Sequence, residues 1–168
     1  MDDVDLEAGT QPAHYLAGSP AMTLLLAGTG GFGLMAKLGD LVARQKGGKS
    51  FMSLEADEKP LPPAVVDGAT QVACLSLTGR LLTFGLDELK LQPNGGRGLT
   101  LIDLDAKDAL VSVAAFASAL QVHGTALRGG KPREELLKGA ALAVYAGKRA
   151  RKGKAVEGMK AQRVLAGG

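Results

Sequence analysis

Three stretches of this chain combine basic side chains with glycine, a pairing suited to holding phosphate. They are Arg44-Gln45-Lys46-Gly47-Gly48-Lys49-Ser50, Gln92-Pro93-Asn94-Gly95-Gly96-Arg97-Gly98 and a looser Arg149-Ala150-Arg151-Lys152-Gly153-Lys154. Glycine lets backbone N–H groups approach an anion without a side chain in the way. The flanking cations add charge at the same place. The candidate contacts are Arg44, Lys46 and Lys49 in the first stretch and Lys90 and Arg97 around the second. Lys148, Arg149, Arg151, Lys152 and Lys154 serve the third. Groups of this kind grip phosphates and not base edges, so they would position a nucleic acid without reading its sequence.

A second pattern points elsewhere. Gly28-Thr29-Gly30-Gly31-Phe32-Gly33 matches G-x-G-x-x-G, follows an apolar run, and has Glu55 about 20 residues on, as a dinucleotide site would want. Leu34, Leu38 and Leu41 could even form the face of the helix that such a site needs. An internal comparison argues against it. The corresponding later stretch is Thr78-Gly79 followed by Arg80-Leu81-Leu82-Thr83-Phe84, a strand-like run, so the glycines read as a hairpin turn. Other catalytic constellations are lacking. His14 and His123 have no metal-ligand spacing, and Tyr15 and Tyr145 read as packing residues. Asp87-Glu88 and Glu134-Glu135 read as solvated turns or caps. The single Cys74 lies in an apolar run and reads as a buried thiol.

The elements that must position the basic stretches recur with them. A period of roughly 50 residues is the mark of propellers, solenoids or arrays. Each unit reads as a strand, a tight turn, a second strand and then the basic loop. Unit one offers Thr23 to Ala27 and Phe32 to Ala36; unit two offers Gln71 to Leu77 and Arg80 to Phe84. In unit three, Val111 to Phe116 and Leu120 to His123 read as strands with Gly124 at a turn, and Arg133-Glu134-Glu135-Leu136 stands where Asp87-Glu88-Leu89 stands before. Leu137 to Ala146 then reads as an insertion able to form a short helix, and Gln162 to Leu165 as the last strand. Pro60, Pro62 and Pro63 mark a connection between units. The approximate units are 1–54, 55–105 and 106–168. Val4-Asp5-Leu6-Glu7 matches Met52-Ser53-Leu54-Glu55 and Ile102-Asp103-Leu104-Asp105, so the chain is expected to begin in mid-repeat, as a fragment of a longer protein.

Composition agrees. Apolar residues make up 46% and aromatics only 4%, so the core must be aliphatic, and 24 glycines favour short strands and tight turns. Charge is uneven. Residues 1–36 hold four acids and no Lys or Arg, whereas residues 128–163 hold eleven bases and three acids. That asymmetry suggests a polyanion partner, nucleic acid first. The acidic N-terminus lacks a signal-peptide pattern, and no apolar run reaches membrane-spanning length.

On these residues the chain resembles the C-terminal domain of bacterial type IIA topoisomerase A subunits. Arg44-Gln45-Lys46-Gly47-Gly48-Lys49-Ser50 is similar to a degenerate form of the Gln-Arg-Arg-Gly-Gly-Lys-Gly box of gyrase. Gly39-Asp40-Leu41-Val42-Ala43-Arg44 and Arg133-Glu134-Glu135-Leu136 look more like the topoisomerase IV branch. The resemblance runs from Val4 to Leu165. It implies an all-β fold, a β-pinwheel of propeller-like blades of four-stranded antiparallel sheet that exchange strands, with about three blades here. It implies a non-catalytic domain that binds and bends double-stranded DNA beside the cleavage core. It also implies the other partners: the N-terminal part of the A subunit, together with the topoisomerase IV B subunit. The cleavage tyrosine, ATP and Mg belong to those other parts, with no cofactor here, and the location implied is the bacterial cytoplasm at the nucleoid. A protein-interaction propeller docked on the enzyme core and, less so, a dinucleotide enzyme stay as alternatives.

Overall fold

The computed structural model describes residues 20–48 and 51–167. Val4 to Glu7, His14, Tyr15 and Lys49 therefore lie outside the described residues. The strands are β1 (Thr23–Ala27), β2 (Phe32–Lys37), β3 (Ala64–Val65), β4 (Gln71–Ser76), β5 (Arg80–Gly85), β6 (Leu99–Thr100), β7 (Leu110–Phe116), β8 (Ala119–Ala126), β9 (Pro132–Lys138), β10 (Lys154–Ala155) and β11 (Met159–Ala166). Two short helices interrupt them, α1 (Leu38–Lys46) and α2 (Gly139–Ala143), with a 3-10 turn at Leu86–Glu88.

The strands form three antiparallel sheets, in the orders β3-β1-β2-β6, β10-β5-β4-β7 and β11-β8-β9. One plan runs through all three. A hairpin (β1–β2, β4–β5, β8–β9) sits at the centre. A strand further along the chain pairs with its first arm: β3 on β1, β7 on β4, β11 on β8. A two-residue strand from the following unit pairs with its second arm: β6 on β2, β10 on β5. Blades one and two are thus completed by residues of the next unit, which is the strand exchange expected of a pinwheel.

The first two hairpin turns are identical in design. Gly31 N–H donates to Gly28 O, Gly79 N–H donates to Ser76 O, and each loop ends on a glycine with φ near +90°. A turn closed this way needs a left-handed third residue, which glycine adopts without penalty. The loops hold three residues, Thr29 to Gly31 and Leu77 to Gly79, one more than the Thr78-Gly79 pair read from the sequence.

Unit three differs from the sequence reading. Val111 to Phe116 is not half of its hairpin: β7 pairs with β4, and the hairpin is β8–β9. Gly124 lies inside β8, opposite Arg133 and Ala161, and not at a turn. A Cβ there would stand 2.0 Å from Lys160 O, so the glycine serves close strand approach beside a bulge in β11. Arg133 to Leu136 belong to β9. The short helix expected within 137–146 exists as α2, but it is no insertion, since α1 and the Leu86 turn follow β2 and β5 at the same place.

Two apolar layers hold the sheets together. Leu25, Val72, Cys74, Leu82, Phe84, Leu101 and Leu110 pack between sheets one and two. Ala73, Leu75, Leu81, Phe116, Leu120, Val122, Met159 and Val164 pack between sheets two and three. Successive residues of β4 face opposite layers. Blade two is therefore buried on both faces, which is why its sequence is a continuous apolar run without alternation. Cys74 is fully buried and its thiol is shifted upward by desolvation. Tyr145 packs in the second layer and its hydroxyl accepts from Glu157 N–H at 3.2 Å.

Candidate functional site

The second and third basic stretches are structural equivalents. Met35 pairs in parallel with Leu91, and Thr83 with Ala146. The following residues donate to those strands: Gln92 N–H to Met35 O and Gly147 N–H to Thr83 O, both at 2.8 Å. Further on, Gly95 and Ala150 share a left-handed φ near +70°. Ser53 N–H donates to Gly96 O, and Asp103 N–H donates to Arg151 O. In this register Gly98 corresponds to Gly153, and Arg97 to Lys152.

That pairing decides what these two cations do. Arg97 Nη1 and Nη2 donate to Glu58 Oε1 and Oε2 at 2.8 and 3.0 Å, a bidentate pair, and the guanidinium lies 4.0 Å from the Phe32 ring centroid. Glu55 stands 3.9 Å away. Lys152 is bonded to Asp105 and lies 3.4 Å from Asp103. Each cation thus clamps an acidic segment earlier in the chain, 39 residues before Arg97 and 47 before Lys152. The Arg97 guanidinium holds the Glu58 carboxyl below its ordinary range, and Lys152 does the same to Asp105. The Glu58 side chain is only 10% exposed and that of Arg97 33%.

The clamp also accounts for the G-x-G-x-x-G pattern. A Cβ on Gly30 would fall within the Glu58 carboxylate, one on Gly28 would meet Leu54, and one on Gly33 would meet Leu101 and Leu26 O. The glycines make room for neighbouring chain, and a carboxylate fills the space a phosphate would need. Blade two repeats the arrangement with Asp108, which accepts from Thr78 N–H at 3.1 Å and Thr78 Oγ1 at 2.8 Å.

Arg149 is drawn inward. Its Nη1 donates to Thr100 O at 2.8 Å and its N–H to Glu88 Oε1 at 3.0 Å, so Glu88 caps this loop. Arg44 and Lys46 occupy the last turn of α1, not a loop, and Gly47 ends the helix by donating to Ala43 O. Cations at a helix C-terminus face the negative end of its dipole. Lys49 lies outside the described residues. Lys90, Lys148, Arg151 and Lys154 are exposed, and no acidic partner holds their side chains among the described residues. The described candidates therefore include cations that fasten units together and cations that face solvent. No group of His, Cys, Asp and Glu among the described residues is placed to hold a metal ion, and no described helix is long and apolar enough to cross a membrane.

One basic stretch escaped the sequence reading: Arg128-Gly129-Gly130-Lys131, the turn between β8 and β9. The signal was a basic double glycine like the others. The expectation of a turn at Gly124 hid it.

Residues 71–117 match the family described as DNA gyrase C-terminal domain, beta-propeller. The chain is 30% identical over 158 residues to the A subunit of DNA topoisomerase 4 from Neisseria gonorrhoeae, covering 90% of this chain and 20% of that protein. Its fold superposes on the E. coli ParC C-terminal domain with a TM-score of 0.74 and 26% identity, over 89% of this chain and 62% of that one. The fold is the β-pinwheel shared by the topoisomerase IV A and gyrase A C-terminal domains. The E. coli K12 topoisomerase 4 A subunit is likewise 30% identical, over 105 residues, 62% of this chain and 14% of that protein. The gyrase A C-terminal domain shares the fold at a TM-score of 0.64 and 18% identity, over 85% of this chain and 47% of that one. The chain spans a fifth or less of the length of these full-length relatives.

Proposed function

We propose that this domain binds and bends double-stranded DNA as part of the A subunit of a topoisomerase IV, without catalytic groups of its own. The likeness to a topoisomerase 4 A subunit over 90% of the chain carries the reading. The exposed cations Lys46, Lys90, Lys148, Arg151 and Lys154 support it, with Arg44 beside Lys46 at the end of α1. Such contacts reach phosphates only, so binding is sequence-tolerant and releases counterions. Exposed cations recur from unit to unit, and a duplex that follows them around the blades would be bent. Smooth bending costs about 1–6 kcal/mol over 20–30 base pairs, which several phosphate contacts must offset. In the whole enzyme the bend would present DNA to the cleavage core, formed by the N-terminal part of the A subunit with the B subunit. ATP and Mg would act there, in the bacterial cytoplasm at the nucleoid.

The test is fluorescence anisotropy with a labelled 30-base-pair duplex of arbitrary sequence, titrated at low and physiological salt, with end-to-end energy transfer to report the bend. The expected result is a dissociation constant of about 10⁻⁴–10⁻⁶ M near physiological salt, falling steeply as salt is removed. Absence of binding at about 50 mM salt would refute the reading.

A further inference from the structure

The turns of the three hairpins are not equally covered. In blades one and two a roof of chain crosses the turn. Thr29 N–H donates to Lys59 O at 2.9 Å, and Leu77 N–H donates to Ala109 O at 2.7 Å. The roof brings acids with it: Glu58 lies against Gly30, and Asp108 binds Thr78. In blade two this roof is the stretch between β6, which ends at Thr100, and β7, which begins at Leu110. The matching stretch of the third unit, between β10 and β11, is only Val156-Glu157-Gly158. It is too short to carry a roof over the third turn.

Among the described residues, no chain crosses the third turn. Ala126 N–H donates to Lys131 O at 2.8 Å and closes it. Leu127 is 70% exposed, and Arg128, Gly129, Gly130 and Lys131 are all exposed. Gly129 and Gly130 both have left-handed φ, at 81° and 62°, and a Cβ on either would meet nothing within 4 Å. Neither Arg128 nor Lys131 has an acidic partner among the described residues. Their cationic neighbours are occupied or in line: Arg133 is braced by Gly158 O and Glu135, and Lys160 sits opposite Thr125 on β11.

The tip also points to the right end of the fold. Arg97 stacks on Phe32, the first residue of β2, and Arg80, the first residue of β5, donates to Gly153 O at 3.4 Å. The Gly98 and Gly153 ends of the second and third basic loops therefore lie at the turn ends of blades one and two. The β8–β9 tip is the turn end of blade three.

We infer that Arg128-Gly129-Gly130-Lys131 is a duplex-phosphate contact, in which a bare basic turn takes the place of the roofed, acid-filled turns of the other blades. This rests on the DNA-binding reading above. Its chemistry is two cations flanking two glycines whose N–H groups no side chain obstructs.

The experiment compares the full chain with the double variant Arg128→Gln/Lys131→Gln, and with Lys138→Gln at the far end of β9. Duplex affinity is measured across a salt series. The double variant is expected to lower the salt slope by about 1.8, two phosphates at about 0.9 each, with Lys138→Gln unchanged. Thermal melting should be unaltered for both, since neither site contacts the core. An unaltered slope in the double variant would overturn the tip alone, provided the parent chain binds. A parent chain that fails to bind would overturn the tip together with the DNA reading. An unaltered DNA slope with loss of binding to the N-terminal part of the A subunit would assign the tip to a protein contact and overturn the phosphate contact.

Discussion

Sorting the cations yields a prediction that separates binding from fastening. In the triple variant Lys148→Gln/Arg151→Gln/Lys154→Gln, three exposed charges without acidic partners among the described residues are neutralised. If each meets one phosphate, the slope of log affinity against log salt falls in magnitude by about 2.7. A fourfold rise in salt then weakens the parent chain about 40-fold more than the variant. In Arg97→Gln the lost charge is one already neutralised by Glu58 at 2.8 and 3.0 Å. That variant should keep the parent slope but melt at a lower temperature, because the Glu58 carboxylate beside Gly30 loses its partner. Anisotropy titrations at four salt concentrations and a thermal melt measure both quantities. The reasoning fails if Arg97→Gln lowers the slope by about 0.9 while the triple variant leaves it alone.

Four further outcomes follow from the same geometry. Phe116→Ala opens the packing between sheets two and three, and denaturant unfolding should show a loss of about 3–5 kcal/mol. Gly98→Ala places a Cβ 2.2 Å from Gly33 O at a left-handed φ, whereas Gly129→Ala meets nothing. The second should cost about 1 kcal/mol and the first several times more, read by the same unfolding curves. Glu58 has a depressed pKa, so its contribution to stability is complete above its ordinary value of 4.5 and is lost as pH falls through the folded value. Unfolding midpoints should drop on acidification more steeply in the parent chain than in Glu58→Gln. Cys74 should resist a thiol reagent in the native chain and react once the chain is unfolded in denaturant.

What could be read from the sequence was what local pattern determines. The β1–β2 and β4–β5 hairpins were legible because an apolar run, a glycine turn and a second apolar run need no distant information. The partner of β7 was not. Its residues look like the first arm of a hairpin, and only the sheet edge left open on β4 decides otherwise. Gly124 misled for a related reason: a glycine required by close strand approach has the same letter as one required by a turn. The helical state of Arg44 and Lys46 was obscured by the double glycine that ends α1. The basic loops themselves were visible, but their acidic partners lie 39 and 47 residues earlier in the chain. Arg97 and Lys152 therefore looked like phosphate ligands until the register of Ser53 on Gly96 and Asp103 on Arg151 brought the acids to them.

Completion of one blade by the next also sets a timetable for synthesis. The second arm of blade two ends at Gly85, but the strand that covers its edge is Lys154–Ala155. At about 5–20 residues per second, that edge waits roughly 3–14 s for its partner to be made. Throughout the wait its unpaired backbone can be captured by any extended segment nearby, including the same edge of a neighbouring nascent chain. Folding of the first two blades is expected to be slow, because neither reaches its final hydrogen bonding before residues of the next unit exist.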